Sequence, residues 1–214
     1  MIDKQIAIRG GFVAISLVLW FWTQKIISQK APKTNGVGDQ LHVLTEPLNA
    51  WLHANPRAAN LTLIISSLGI DLCGIFLLGS AIFGDSLRPF LAILMLFGLR
   101  QSCQLVNTLP APPGIIWRRP GVPSLLVTYD VGNDFYFSGH TAIAVLAAFE
   151  LAHTGNPWLA AVGIFIAVGE ATTVLILRAH YTMDIFTAAF VAWAAHGVSL
   201  KIAPTVDAWL RGIS

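Results

Sequence analysis

Apolar residues run through this chain in long blocks separated by short polar breaks, and block length decides the class of fold. A helix that crosses a bilayer needs about 20 mostly apolar residues. Six segments reach or approach that length: Ala7–Ile27, Ala58–Phe83, Pro89–Leu109, His140–His153, Trp158–Leu177 and Tyr181–Ile202. The fourth is the shortest and is closed by the break Gly155-Asn156-Pro157. The first follows Lys4 and Arg9 and ends in Trp20-Phe21-Trp22, an aromatic belt without a small-residue cleavage pattern, so it reads as a retained span rather than a signal peptide. The pattern predicts an all-α fold, an integral membrane six-helix bundle, with residues 1–214 forming a single transmembrane domain.

Two linkers depart from this rhythm. Between the first two spans, Leu41, Leu44, Leu48, Trp51 and Leu52 recur at helical spacing with polar residues between them. That predicts a helix lying in the membrane interface, kinked at Pro47. The linker from Pro110 to Phe137 is long and rich in Pro and Gly, and its apolar middle, Ser124 to Tyr129, is too short to span. Long loops of this kind are functional or disordered, and this one is too apolar for disorder. It is expected to fold back over the bundle as a partly re-entrant lid or wall.

Composition agrees with the pattern: of 214 residues, 55% are hydrophobic and only 11% charged, against about 25% charged in soluble domains. The net charge of +2 is spread thinly, which leaves no nucleic-acid footprint. Cys73 and Cys103 sit inside apolar segments without ligand spacing and read as packed thiols.

Polar residues inside such a chain are few and fall at two places. Ser138-Gly139-His140-Thr141 opens the fourth span, and Arg178-Ala179-His180-Tyr181-Thr182-Met183-Asp184 opens the sixth. One full hairpin separates these spans, so both begin at the same membrane surface. The third span ends there too and brings Arg100, Arg118 and Arg119 to that side. His180 and Asp184, four apart on a helix, share a face. The carboxylate can accept the proton-bearing ring nitrogen and leave the other as a nucleophile. His140 and Ser138 lie at a helix start, where backbone N–H groups favour an anion. Phosphoryl transfer asks for such positioning and for arginines to neutralise charge. The arginines favour an anion over a cation, so neither a metal nor a cofactor is expected.

These residues resemble the type-2 phosphatidic acid phosphatase superfamily, and within it the sphingomyelin synthase-like branch. Arg100 with Thr108-Leu109-Pro110-Ala111-Pro112, Asp134 four residues before Ser138-Gly139-His140-Thr141, and His180-Tyr181-Thr182-x-Asp184 follow that branch. Pro112 and Val174 stand where the broad phosphatase pattern has Lys and Arg. Val131-Gly132-Asn133 and Arg178 are similar to the plant phosphatidylcholine:diacylglycerol cholinephosphotransferase family. The resemblance implies a metal-independent enzyme in which His180 is the nucleophile, Asp184 its orienting partner and His140 the acid and base.

The expected activity is transfer of a phosphocholine-type head group from a phospholipid to a lipid alcohol such as diacylglycerol or ceramide. The alternative is a lipid phosphate phosphatase or phospholipase C-type hydrolase using the same residues. Few polar residues are spread through the spans as a transporter would require. The expected partners are these lipid substrates, without nucleic acid or an obligatory protein. Arg100, Arg118, Arg119, Ser138 and Arg178 are candidates for the phosphate. Glu170, Asp134, Tyr136 and Tyr181 are candidates for the head group, because a quaternary amine seeks carboxylates and aromatic faces. Trp117, Tyr129 and Phe135 could add such faces. Asp71, mid-span, is expected to pair with Arg100 at similar depth.

Overall fold

The computed structural model describes Val18, Trp22 and residues 37–107, 109–127, 129 and 135–213. The chain divides into two compact units, Met1–Gly38 and Asp39–Ser214. The expected first span, Ala7–Ile27, lies almost wholly outside the described residues, and the second unit holds every helix assigned below.

That unit is built from helices alone among the described residues: α1 (Gln40–Leu44), α2 (Glu46–Ala54), α3 (Pro56–Phe83), α4 (Arg88–Val106), α5 (Gly139–His153), α6 (Pro157–Ile176) and α7 (Thr182–Ile213). Boundaries follow local chemistry. Pro56 and Pro157 stand in the first turns of α3 and α6, where a missing N–H costs nothing. Between α5 and α6, Gly155 takes φ +76°, and the Asn156 side chain caps Trp158 N–H at 3.0 Å.

Four of these helices are long and apolar enough to cross a membrane: Pro56–Phe83, Arg88–Val106, Pro157–Ile176 and Thr182–Trp209. Their large apolar residues point outward, with Ile65, Leu72, Phe165, Phe186 and Phe190 all exposed. Small residues fill the centre, where Ala142, Ala144, Ala188 and Ala192 are fully buried. Such an inversion suits a bundle whose solvent is lipid and whose helices meet by close packing. The chain is an integral, multi-pass membrane protein.

The fourth expected span is α5, and it differs from the others. Its 15 residues make a helix about 22 Å long, short of the roughly 30 Å hydrocarbon core. It packs against α3, α4, α6 and α7. A helix screened from lipid by four neighbours need not match the bilayer in length. Being central, it carries its first residues into the heart of the bundle.

The segment expected at the membrane interface forms two short helices. The chain breaks at Thr45, which ends α1 and begins α2, so Pro47 sits in the first turn of α2 rather than kinking one continuous helix. Leu41, Leu44, Leu48 and Trp51 are exposed as expected, whereas Leu52 turns inward and is buried.

Asp71 does not make the ion pair expected of it. Its carboxylate accepts Ser124 Oγ–H at 3.0 and 3.1 Å and the N–H groups of Leu125 and Leu126, each at 2.9 Å. A mid-helix charge is thereby satisfied by the long loop. Gly74, about one turn on, leaves room for Leu126: a Cβ there would collide with the leucine Cδ1. Asp71→Ala should release the Ser124, Leu125 and Leu126 donors from α3, costing about 0.5–1.5 kcal/mol per hydrogen bond lost. Melting in detergent micelles should fall by several degrees and protease should reach residues 115–127; unchanged melting and cleavage would exclude the clasp.

Candidate active site

The site is assembled by the segment that precedes α5. Phe135 C=O accepts His180 Nδ1–H at 2.7 Å, and Phe137 C=O accepts Arg100 Nε–H at 2.9 Å. Ser138 N–H donates to Asp184 C=O at 3.3 Å. Neighbouring residues thus fix the rings and charges contributed by α4, the α6–α7 turn and α7. A cavity of about 70 Å³ results, lined among others by Arg100, Trp117, Phe135, Gly139, His140 and His180.

His140 stands in the first turn of α5. The edge of its ring meets Trp117 at 5.1 Å, and its Nε2 is buried without a hydrogen-bond partner among the described residues. His180 closes the turn after α6. With Nδ1–H given to Phe135, its lone pair lies on Nε2, the tautomer a nucleophile requires. The fixing contact differs from the expected one: Asp184 Oδ2 is 3.8 Å from Nδ1, and the bond belongs to the Phe135 carbonyl. Asp184 is fully buried and caps its own helix, accepting Tyr181 N–H at 3.0 Å. Its charge reaches the ring through space rather than through a hydrogen bond.

Arg100 is the arginine that lines the cavity. It also donates to Gln104 Oε1 at 3.3 Å, and its guanidinium lies against the Gly139 backbone at the N-terminus of α5. Cation and helix N-terminus together favour an anion there. The remaining candidates sit elsewhere. Arg178, buried and at φ 58°, turns to His42 C=O and to Glu46, which it meets at 2.7 Å. Arg118 donates to Asn60, and Arg119 is exposed on the loop. Ser138 caps α5, accepting Thr141 N–H at 3.2 Å.

The described head-group candidates, Glu170, Tyr136 and Tyr181, are also absent from the cavity lining. Glu170 accepts Ser66 Oγ–H at 2.6 Å, a contact between α6 and α3. Tyr181 donates to Pro110 C=O at 3.1 Å, and Tyr136 meets Phe137 edge-on. Asp134 lies outside the described residues. Of the additional aromatics, Trp117 and Phe135 line the cavity.

A second layer has no counterpart in the motifs. Asp39, His42, Glu46 and Asn49 form one polar stripe along α1 and α2, directed at the α6–α7 turn. Asp39 accepts Thr182 N–H at 2.6 Å and Thr182 Oγ–H at 2.7 Å. His42 Nε2–H donates to His180 C=O at 3.0 Å, with its ring stacked 5.6 Å from Tyr181. Asn49 donates to Ile176 C=O at 2.8 Å and Gly114 C=O at 3.1 Å. The spacing of three, four and three was the available signal; it is a helical face with polarity opposite to the exposed leucines.

Burial pulls the Asp39 carboxyl upward, but hydrogen bonds from Thr182 and His42 outweigh it and hold it below its ordinary value. Burial lowers the His42 ring, opposed by the Asp39 carboxylate. Both folded values are depressed, so each group supports docking above its unfolded pKa and loses that support as pH falls. His42 acts first, below about 6.5, and Asp39 below about 3.9. Hydrogen exchange corrected for intrinsic rate should show α1–α2 loosening between pH 7.5 and 5. His42→Gln, which keeps a donor but does not titrate, should flatten the response; equal protection at both pH values would exclude the coupling.

Comparison with known proteins bears on this geometry in two ways. A family model described as AtPDCT1/2 matches residues 38–201, which contain every helix of the second unit at least in part. Among solved structures, the crystal structure of Aquifex aeolicus LpxE aligns with a TM-score of 0.55 and 20% sequence identity, covering 74% of this chain and 93% of that one. At that identity the likeness is one of fold. No curated protein matches.

Proposed function

This chain belongs to the AtPDCT1/2 family, the plant phosphatidylcholine:diacylglycerol cholinephosphotransferases, and on that premise we propose that it moves a phosphocholine-type head group from a phospholipid to a lipid alcohol. Its family makes it a lipid phosphotransferase or phosphatase of the type-2 phosphatidic acid phosphatase kind. One observation carries the finer reading: two imidazoles and one arginine line the same small, buried cavity.

In this mechanism the phosphate sits at the N-terminus of α5 beside Arg100. His180 Nε2 attacks phosphorus, and the bond from phosphorus to the glycerol oxygen breaks. His140 gives its proton to that oxygen, releasing diacylglycerol and leaving phosphohistidine at His180. The Asp184 charge stabilises the cationic ring. The acceptor hydroxyl then attacks phosphorus, His140 takes its proton, and the phosphorus–nitrogen bond breaks to restore both rings. No metal or cofactor enters these steps. Diacylglycerol and ceramide both present a suitable primary hydroxyl; water would make the same protein a phosphatase or phospholipase C-type hydrolase.

The membrane arrangement belongs to the same proposal. Ala7–Ile27 is the first of six spans and α5 the fourth, and residues 110–137 form a partly re-entrant loop. The Asp71 clasp supports that loop. Arg118 and Arg119 draw the anionic donor toward the site from the loop, while Arg178 positions the catalytic turn.

Purified protein supplied with mixed phospholipids, with and without diacylglycerol or ceramide, should yield new phospholipid only when an acceptor is present. Free head-group phosphate released regardless of acceptor would replace transfer with hydrolysis. His180→Ala should abolish turnover, and His140→Ala should slow it about 10²–10⁴-fold, the usual worth of a general acid–base. Asp184→Asn should slow it severely. Retained activity in His180→Ala would remove the nucleophile.

A further inference from the structure

Two cavities of unequal size share the indole of Trp117. The inner one, about 70 Å³, contains the catalytic rings. The outer one, about 310 Å³, lies where the α2–α3 corner meets the long loop, lined by Leu52, Ala59, Ile115 and Ile116 with exposed His53 and Arg118. Sites that enclose a whole small ligand measure roughly 300–1,000 Å³. The inner cavity has room for a phosphate group and little more. The rest of a lipid substrate needs a second volume.

Trp117 is held as a partition. It tilts against Tyr129 at 4.9 Å, and the tyrosine hydroxyl is hydrogen-bonded to Ser67 Oγ on α3 at 2.5 Å. It also meets the His140 ring in a T-shaped contact at 5.1 Å. The outer cavity is therefore next to the acid–base imidazole. Leu52, Ala59, Ile116 and Leu177 form the buried apolar cluster beneath it, separate from the main core.

We propose that the outer cavity is the lipid-alcohol subsite, which seats the glycerol backbone and the first acyl carbons of a diacylglycerol. The inference rests on the reading of His140 as acid and base. In-line displacement puts the alcohol oxygen opposite His180, on the side where His140 handles its proton. Microscopic reversibility then requires the departing alcohol and the incoming acceptor to use the same place in turn. The bond from phosphorus to oxygen breaks as His140 gives up its proton and reforms as His140 recovers one. A phospholipid donor and a free diacylglycerol thus present one chemistry to one apolar chamber beyond Trp117.

Cross-linking tests this without turnover. A diacylglycerol carrying a diazirine near its glycerol end, and a phosphatidylcholine carrying the same group, should both label residues 52–59 and 115–117 of the full-length protein. Excess dioleoylglycerol should suppress both labels. Ala59→Leu and Ile115→Trp, which fill the chamber from different elements, should each raise KM for dioleoylglycerol about tenfold or more. Labels confined to other segments, with KM unchanged in a folded variant, would overturn the subsite. Correct labelling in a protein that fails to transfer head groups would overturn the transfer reading and leave the subsite standing. Transfer with labels elsewhere would do the reverse.

Discussion

The site depends on a short extended segment that gives its backbone to three partners. Phe135, Phe137 and Ser138 bond to the His180 ring, the Arg100 guanidinium and the Asp184 carbonyl, respectively. In a membrane-embedded bundle no water competes for these groups, so each bond holds its partner more firmly than it would at an aqueous surface. Removing the segment would leave a histidine without a defined tautomer and an arginine without a direction. The four helices that meet there would still pack, but the cavity between them would lose its organised polar lining.

The sequence made part of this legible, because some of the chemistry resides in side chains at fixed spacing. His140 at a helix start could be read directly, whereas His180, expected on the same helix as Asp184, lies in the turn before α7. The span parity that puts their helix starts on one side is met by a shared cavity. What could not be read were contacts made by the main chain. Every residue has a carbonyl, so nothing marks Phe135 as the acceptor for His180, and the carboxylate four residues on was the more visible candidate. Asp71 shows the same limit: a buried charge calls for a partner, yet the backbone amides of Leu125 and Leu126 leave no trace in composition. The arginines meet a related limit. A cation near a phosphate site and a cation bracing a helix look alike in sequence, and Arg178 braces α1 and α2.

The amphipathic segment shows how solvent changes the meaning of a pattern. In a water-soluble protein the apolar stripe of a surface helix faces the core. Here Leu44, Leu48 and Trp51 face away, and the opposite stripe of Asp39, His42, Glu46 and Asn49 grips the α6–α7 turn. The segment therefore leaves its apolar side uncovered and spends its polar side on the backbone around His180. Its polar residues hold that turn without lining the cavity.

The carboxylate midway along α3 also bears on how the protein is made. A bare charge at that depth opposes insertion of the helix into lipid. The groups that satisfy it, Ser124 and the amides after it, lie 53 to 55 positions later in the chain. They emerge from the ribosome only after the whole of α4. Until then α3 has reason to linger in the translocon, so its final burial is tied to the arrival of the next hairpin. Insertion of this protein is thus a joint event of two helices and a loop, not a series of independent ones.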